Sequence, residues 1–195
     1  MTRKPVIIML TAALLMSVAA WGQSLPKFKF GEPTMEELKM TTYDKDSSAA
    51  AVVLLNLRDV GFRLDGGDIT EVTTNRFRIK ILKDAGKDYA NVDHVLYNSQ
   101  GAKGHEKIFG IKAVAVNLEN GKVVKTKMKS DMIFTEKIDE YHDRVKFTIP
   151  QAKVGSVIEY EYNVSSDLYY QMDDWNAQQP IPVVHARYTS IIPEW

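Results

Sequence analysis

From Ser48 onward the apolar positions recur every second residue, the period at which side chains leave alternate faces of a β-strand. In Val72–Leu82, Phe77, Ile79 and Ile81 alternate with Arg76, Arg78 and Lys80. In Val157–Val164, Ile158, Tyr160, Tyr162 and Val164 alternate with Glu159, Glu161 and Asn163. Both read as half-buried strands, one with a cationic face and one with an acidic face. The cations then lie on a solvated sheet face, or opposite Glu159 and Glu161 on a neighbouring strand, where opposite charges attract. Two more alternating runs between Ile111 and Met128 flank Glu119-Asn120-Gly121-Lys122. Asn-Gly tolerates the positive φ angles of a two-residue turn, so this segment predicts a hairpin. Ala49–Val60, Asp131–Ile138, Tyr141–Ile149 and Val183–Ile192 bring the count to about eight to ten short strands. No long amphipathic helix separates them to carry parallel crossovers. The predicted class is therefore all-β, an antiparallel β-sandwich or partly open barrel, with a short N-terminal helix.

The N-terminal region has a different pattern. Residues 23–33 hold Pro26, Pro33 and Gly31 without any period and read as a linker or extended arm. Thr34-Met-Glu-Glu37 has capping-box spacing, which starts a helix of one or two turns ending near Met40. Before these lie Arg3 and Lys4, an apolar run Val6–Ala20 broken by Thr11 and Ser17, and the small residues around Ala20-Trp21-Gly22. That order is a secretory signal peptide, and the run is shorter than the ~20 residues a membrane span needs. The expected organisation is a signal peptide over 1–22, linker and short helix over 23–44, and a β-sandwich module over 45–195. The expected location is the periplasm or cell surface.

Composition narrows the function. The 195 residues carry 25 Lys plus Arg against 25 Asp plus Glu, so no basic excess supports binding to nucleic acid or an anionic membrane. Loss of residues 1–22 would leave 23 cations and 25 anions over 173 residues, and no stable membrane anchor. The absence of cysteine excludes disulfides, thiolate metal sites and a cysteine nucleophile. No cofactor is implied.

No candidate chemistry reaches the standard of a positioned catalytic group. His94, His105, His142 and His185 have no metal-ligand spacing, although His105 and His142 could converge in space. Ser156 follows Gly155 at a strand entry, where a glycine serves a turn more simply than a nucleophile elbow. Asp65-Gly-Gly-Asp68 lacks the lysine and helix of a phosphate loop and reads as a turn. Asp167–Trp175 combines Tyr169, Tyr170 and Trp175 with Asp167, Asp173 and Asp174. Aromatics beside carboxylates can hold a sugar or anchor an interface, and paired carboxylates serve glycoside hydrolysis. The simpler reading is a strand connection whose aromatics close the end of the sandwich. No catalytic residue and no metal ligand is assigned. Tyr169, Tyr170 and Trp175 are the candidate ligand- or interface-binding residues.

Four segments together resemble the domain-of-unknown-function family 3857. They are Arg78-Ile-Lys-Ile-Leu82 with Gly86, Ile111–Asn117 with Asn120-Gly-Lys122, Phe147-Thr-Ile-Pro150 leading into Val154-Gly-Ser-Val-Ile-Glu-Tyr-Glu-Tyr162, and Trp175 through Gln178 to Pro180 and Pro182. The resemblance covers about residues 45–195. Ala177 departs from it, since similar sequences often place an aromatic there. It implies a β-rich module of exported Bacteroidetes envelope proteins that precedes a transglutaminase-like domain of the cysteine-protease type, with no catalytic residues to carry over. The chain is expected to be an N-terminal fragment, its sheet short of a strand and its partner the downstream domain. The expected role is non-catalytic: the module positions, covers or presents substrate, with envelope protein or glycan as further partners. The alternative is a carbohydrate-binding module for envelope or dietary polysaccharide.

Overall fold

The alternating runs form nine strands among the described residues, 28–101 and 103–194 of a computed structural model. The expected signal peptide lies outside the described residues. After a five-residue helix α1 (Met35–Lys39) come β1 (Ala51–Asp65), β2 (Asp68–Ile81), β3 (Asn91–Tyr97), β4 (Glu106–Glu119), β5 (Lys122–Lys127), β6 (Ile133–Lys137), β7 (His142–Thr148), β8 (Val157–Ser166) and β9 (Ala186–Ile191). Six strands make one sheet in the order β5-β4-β8-β2-β1-β9, and three make a second in the order β3-β7-β6. The fold is an all-β sandwich. All pairings are antiparallel except β1 with β9. The long connection after β8 brings β9 in alongside β1 in the same direction, which no hairpin can do.

Both turns singled out in the sequence are two-residue hairpins. Asn120 and Gly121 take φ of 49° and 76°, and Gly66 and Gly67 take 59° and 94°. Asp65-Gly-Gly-Asp68 therefore joins β1 to β2, with Asp65 opposite Asp68. Gly86 is needed for a different reason. A Cβ there would lie 2.2 Å from the Ala50 carbonyl oxygen, because the 3-10 turn Asp84–Ala90 presses against the start of β1. β3 has no counterpart among the expected strands. Its inward positions Val92, His94 and Leu96 include a histidine, while Val95 and Tyr97 point outward, so neither face reads as purely apolar.

Between the sheets, Val53, Ile79, Ile81, Ala113, Ala115, Ile158 and Tyr160 of the large sheet pack against Leu96, Val145, Phe147 and Ile149. Phe77 stacks on Tyr160 at 4.8 Å between ring centroids. Each fully buried aliphatic or aromatic side chain contributes roughly 1.5–3 kcal/mol.

The reading of β2 and β8 as half-buried is corrected by the outer face of the large sheet. Residues from Phe28 to Tyr43 lie across it, and Leu38, Val52, Leu54, Leu82, Val114, Val116 and Val157 form a second core there, flanked by Phe30, Met40 and Tyr43. The charged faces are consequently not solvated. Arg78 is 2% exposed, and Lys80 and Glu159 are fully buried. Register sets Arg76 opposite Glu161 and Arg78 opposite Glu159, so the cationic and acidic faces are one paired row.

The arm satisfies the charges it covers. Arg78 Nε donates to Glu159 Oε1 at 2.9 Å, its NH1 group to the Glu37 carboxylate, and its NH2 group to the carbonyls of Lys29 and Glu32. The Phe28 ring lies 5.5 Å from the guanidinium carbon, within cation–π range. Glu159 Oε2 accepts from Gly31 N at 2.7 Å. Glu37 also completes the predicted capping box with Thr34. Lys80 Nζ donates to the carbonyls of Leu38, at the end of α1, and Gly155. Further along the same face, an alternating row runs Arg187, Asp59, Arg76, Glu161, Lys112 across five strands. Among the described residues no helix is long and apolar enough to cross a membrane.

Removing one member of a buried ion pair strands its partner. Glu159→Ala should therefore lower unfolding stability by about 3–5 kcal/mol and sharply raise hydrogen exchange at the Gly31 amide; unchanged protection of that amide would show that Glu159 does not hold the arm. Burial depresses the Lys80 ammonium from 10.5 to about 8. A depressed group adds stability above its unfolded value and loses it as pH falls through the folded one. Stability should thus rise between pH 8 and pH 10, at most about 1.4 kcal/mol per pH unit. Above pH 10 the buried phenols Tyr160 and Tyr162, both raised by burial, reverse the trend. Urea unfolding of Lys80→Met across this range should lack the rise, and a variant that keeps it would exonerate Lys80.

Candidate functional site

One end of the sandwich interior is polar. On β2 the inward parity that carries Phe77, Ile79 and Ile81 continues back through Asn75, Thr73 and Glu71. Glu71 of β2 and Glu106 of β4 flank Ser166 of β8 in register. From the second sheet His94 packs on Tyr162, with 5.2 Å between ring centroids, and β1 contributes Arg58. Asp173, on the connection between β8 and β9, closes the group. These side chains surround a cavity of ≈ 10 Å³, room for about one water molecule. Outside it opens a pocket of ≈ 480 Å³ lined by Tyr97, Glu106, Leu168, Tyr170, Gln171 and Asp173, so Glu106 and Asp173 belong to both.

Burial dominates the electrostatics. It raises the Glu71 carboxyl above its usual value, opposed by the Thr73 hydroxyl and reinforced by Asp173. It also raises Glu106, opposed by the Tyr97 backbone N–H, which donates at 2.8 Å, and again reinforced by Asp173. Burial and Arg58 hold the His94 imidazole below its ordinary value, which leaves it neutral at pH 7. Glu71, 8% exposed, accepts from Thr73 through Oε1, while its Oε2 and the Asn75 Nδ2 are buried without partners among the described residues.

The aromatics singled out in the sequence occupy two places. Tyr169 and Tyr170 meet edge to face, at 82° and 5.6 Å, and Tyr170 stands 71% exposed at the pocket mouth. Trp175 packs instead on Tyr188 of β9 at 5.6 Å. Asp173 enters the pocket; Asp174 is exposed, and its carbonyl accepts from Arg58. The histidines bond locally: His105 with the Gly101 carbonyl and His142 with Asp139. Ser156 is fully buried, its hydroxyl donating to Asn117 and accepting from Lys153 N. Glu71 and Glu106 were not singled out from the sequence, yet the inward parity of β2 was the available signal for Glu71. No such pattern marks Glu106, whose neighbours come from other elements. Among the described residues no three His, Cys, Asp or Glu side chains are arranged to hold a metal ion.

A raised carboxyl contributes stability that is complete below its unfolded value and lost as pH rises through the folded one. Relative to the parent, Glu71→Gln should therefore be more stable at pH 7 and show no such advantage at pH 4. Urea unfolding at the two values checks this, and a difference independent of pH would mean that Glu71 is not desolvated.

A search of curated proteins finds no match. A crystal structure from Parabacteroides distasonis, named as a "putative protease", is similar at 12% identity and a TM-score of 0.46, over 60% of this chain and 23% of that one. The chain thus spans less than a quarter of that protein's length. The model of a family described as "Domain of Unknown Function with solved-structure structure (DUF3857)" matches residues 67–195, from the start of β2 through β9. With about two thirds of its sequence accounted for by that model, the chain belongs to the DUF3857 family.

Proposed function

We propose that the chain is an exported, non-catalytic module that positions, covers or presents substrate for a transglutaminase-like domain following it in the same protein. The observation that carries this reading is the apolar surface at the β9 edge of the large sheet. There Trp175 packs on Tyr188, and Ile191 and Ile192 stand 70% and 69% exposed. Among the described residues β9 pairs only with β1, an edge whose outer backbone groups can take up a further segment. Ile191 lies on the outer-face side of β9 with Arg187, and Tyr188 with Trp175 on the other side, so apolar side chains flank the open edge on both faces, and a few such anchors can supply most of the binding free energy of an interface. The local bonding of Ser156, His105 and His142 supports a module without its own nucleophile and base. The leader-like pattern of residues 1–22 supports export.

A polysaccharide platform is less well supported. Sugar rings stack on flat aromatic faces, whereas Tyr169 and Tyr170 stand nearly perpendicular and Trp175 is turned onto Tyr188. Titration calorimetry against the transglutaminase-like domain of the same protein tests the proposal. Trp175→Ala and Ile191→Asp should each weaken binding at least about tenfold, an anchor-sized loss, with little change in melting temperature. Full-strength binding by both variants, or a protein without such a domain, overturns it.

A further inference from the structure

We propose that the pocket at the polar end of the sandwich receives a primary alkylammonium group, with Glu106 and Asp173 as its acceptors and Tyr97 and Tyr170 as its walls. The inference rests on the reading of the chain as a binding module and names the chemistry of one ligand site.

The charge inventory is the first support. Glu71 on β2, Glu106 on β4 and Asp173 on the β8–β9 connection converge there, and none of the three makes an ion pair among the described residues. Arg58 is the one cation lining the inner cavity. Its Nε donates to Asn75 and its NH1 to the Asp174 carbonyl, not to a carboxylate. His94 is neutral at pH 7, as described above. An excess of negative charge in a partly desolvated site is unfavourable until a cation enters.

The second support is independent of charge counting. Glu71 Oε2 lines the inner cavity without a hydrogen-bond partner, on a side chain more than nine-tenths buried. Such orphaned acceptors are rare in native proteins, and each calls for a donor. Asn75 Nδ2 is an orphaned donor of the same inner cavity, but with Asp173 unbonded among the described residues and Glu106 holding only the Tyr97 N–H and the Ser166 side chain, acceptors outnumber donors. The ligand must bring donors.

Shape and wall chemistry select the donor. A pocket of ≈ 480 Å³ is in the range that holds small organic groups, and the carboxylates gathered there are not arranged, among the described residues, in any set of three that could hold a bare metal ion. Tyrosine faces attract organic cations, and Leu168 offers apolar contact to an alkyl stem. The two acceptors, Glu106 of β4 and Asp173 of the β8–β9 connection, belong to separate elements, which suits the divergent donors of an ammonium better than the planar fork of a guanidinium.

The test uses the whole chain and three small probes followed by NMR: Nα-acetyl-lysine N-methylamide, its uncharged norleucine counterpart, and putrescine. An alkylammonium site predicts saturable shifts at Tyr97, Glu106 and Tyr170 with the charged probes and none with norleucine. Asp173→Asn and Tyr170→Ala, both at exposed positions, should each weaken binding at least about tenfold. Tighter binding of the lysine derivative identifies a polypeptide side chain as the source; tighter binding of putrescine identifies a free amine. Equal binding of norleucine, no binding at about 10 mM, or parent-like affinity in both variants overturns the assignment. Loss of amine binding with docking of the downstream domain intact would remove this site and leave the module reading standing.

Discussion

A guanidinium removed from water must have its donors met by the protein, and that requirement at Arg78 organises the structure. Cross-strand Glu159 meets one donor; Glu37 and the carbonyls of Lys29 and Glu32 meet the others. The partners beyond Glu159 all belong to the N-terminal arm. Departure of the arm and α1 would break these bonds and expose the apolar side chains of the second core to water together with Arg78, so hydrogen bonding and apolar burial hold the arm jointly. Lys80 extends the constraint, since its ammonium joins the Leu38 carbonyl, in the last turn of α1, to the turn that precedes β8. The large sheet is thereby covered on both faces, and β8 at its centre has no exposed residue.

The molecule treats its buried polar groups in two opposite ways. On the outer face the charges alternate in sign along a row and are bonded to one another or to backbone. At the polar end of the interior the excess is of one sign, and acceptors remain without donors. The first arrangement stabilises and fixes register. In the second, burial without a paired cation raises the Glu71 and Glu106 carboxyls and opposes stability. The β9 edge is a third kind of surface, where apolar side chains and unpaired backbone stand exposed together.

Several features were legible because they depend on a few neighbouring residues. The strands appeared through their two-residue period, the 120–121 turn through the positive φ that Asn and Gly tolerate, and the helix start through the Thr34–Glu37 spacing. β3 was hidden because His94 breaks its inward face and Val95 and Tyr97 occupy its outward one. The parallel pairing of β9 was hidden because it depends on how a connection of about twenty residues crosses the sheet, which no local pattern encodes. Trp175 and Tyr170 look like one aromatic cluster in the sequence, yet the chain turns between them and sends one onto β9 and the other to the pocket mouth.

The sequence by itself determined the class of structure and the sign of each face, because alternation in β-strands is a property of the backbone. It also contained both halves of the central ion pair, Arg78 on a cationic strand and Glu159 on an acidic one, and left open whether water or protein lay above them. Tertiary structure decided that. By laying the arm across the outer face it turned a row of charges into a buried core element, and by bringing β2, β3, β4 and the β8–β9 connection to one end it gathered Glu71, His94, Glu106 and Asp173 into a pocket. Burial and the approach of side chains distant in sequence are properties of the folded chain, and they decided which of these charges are paired and which stand together without a partner.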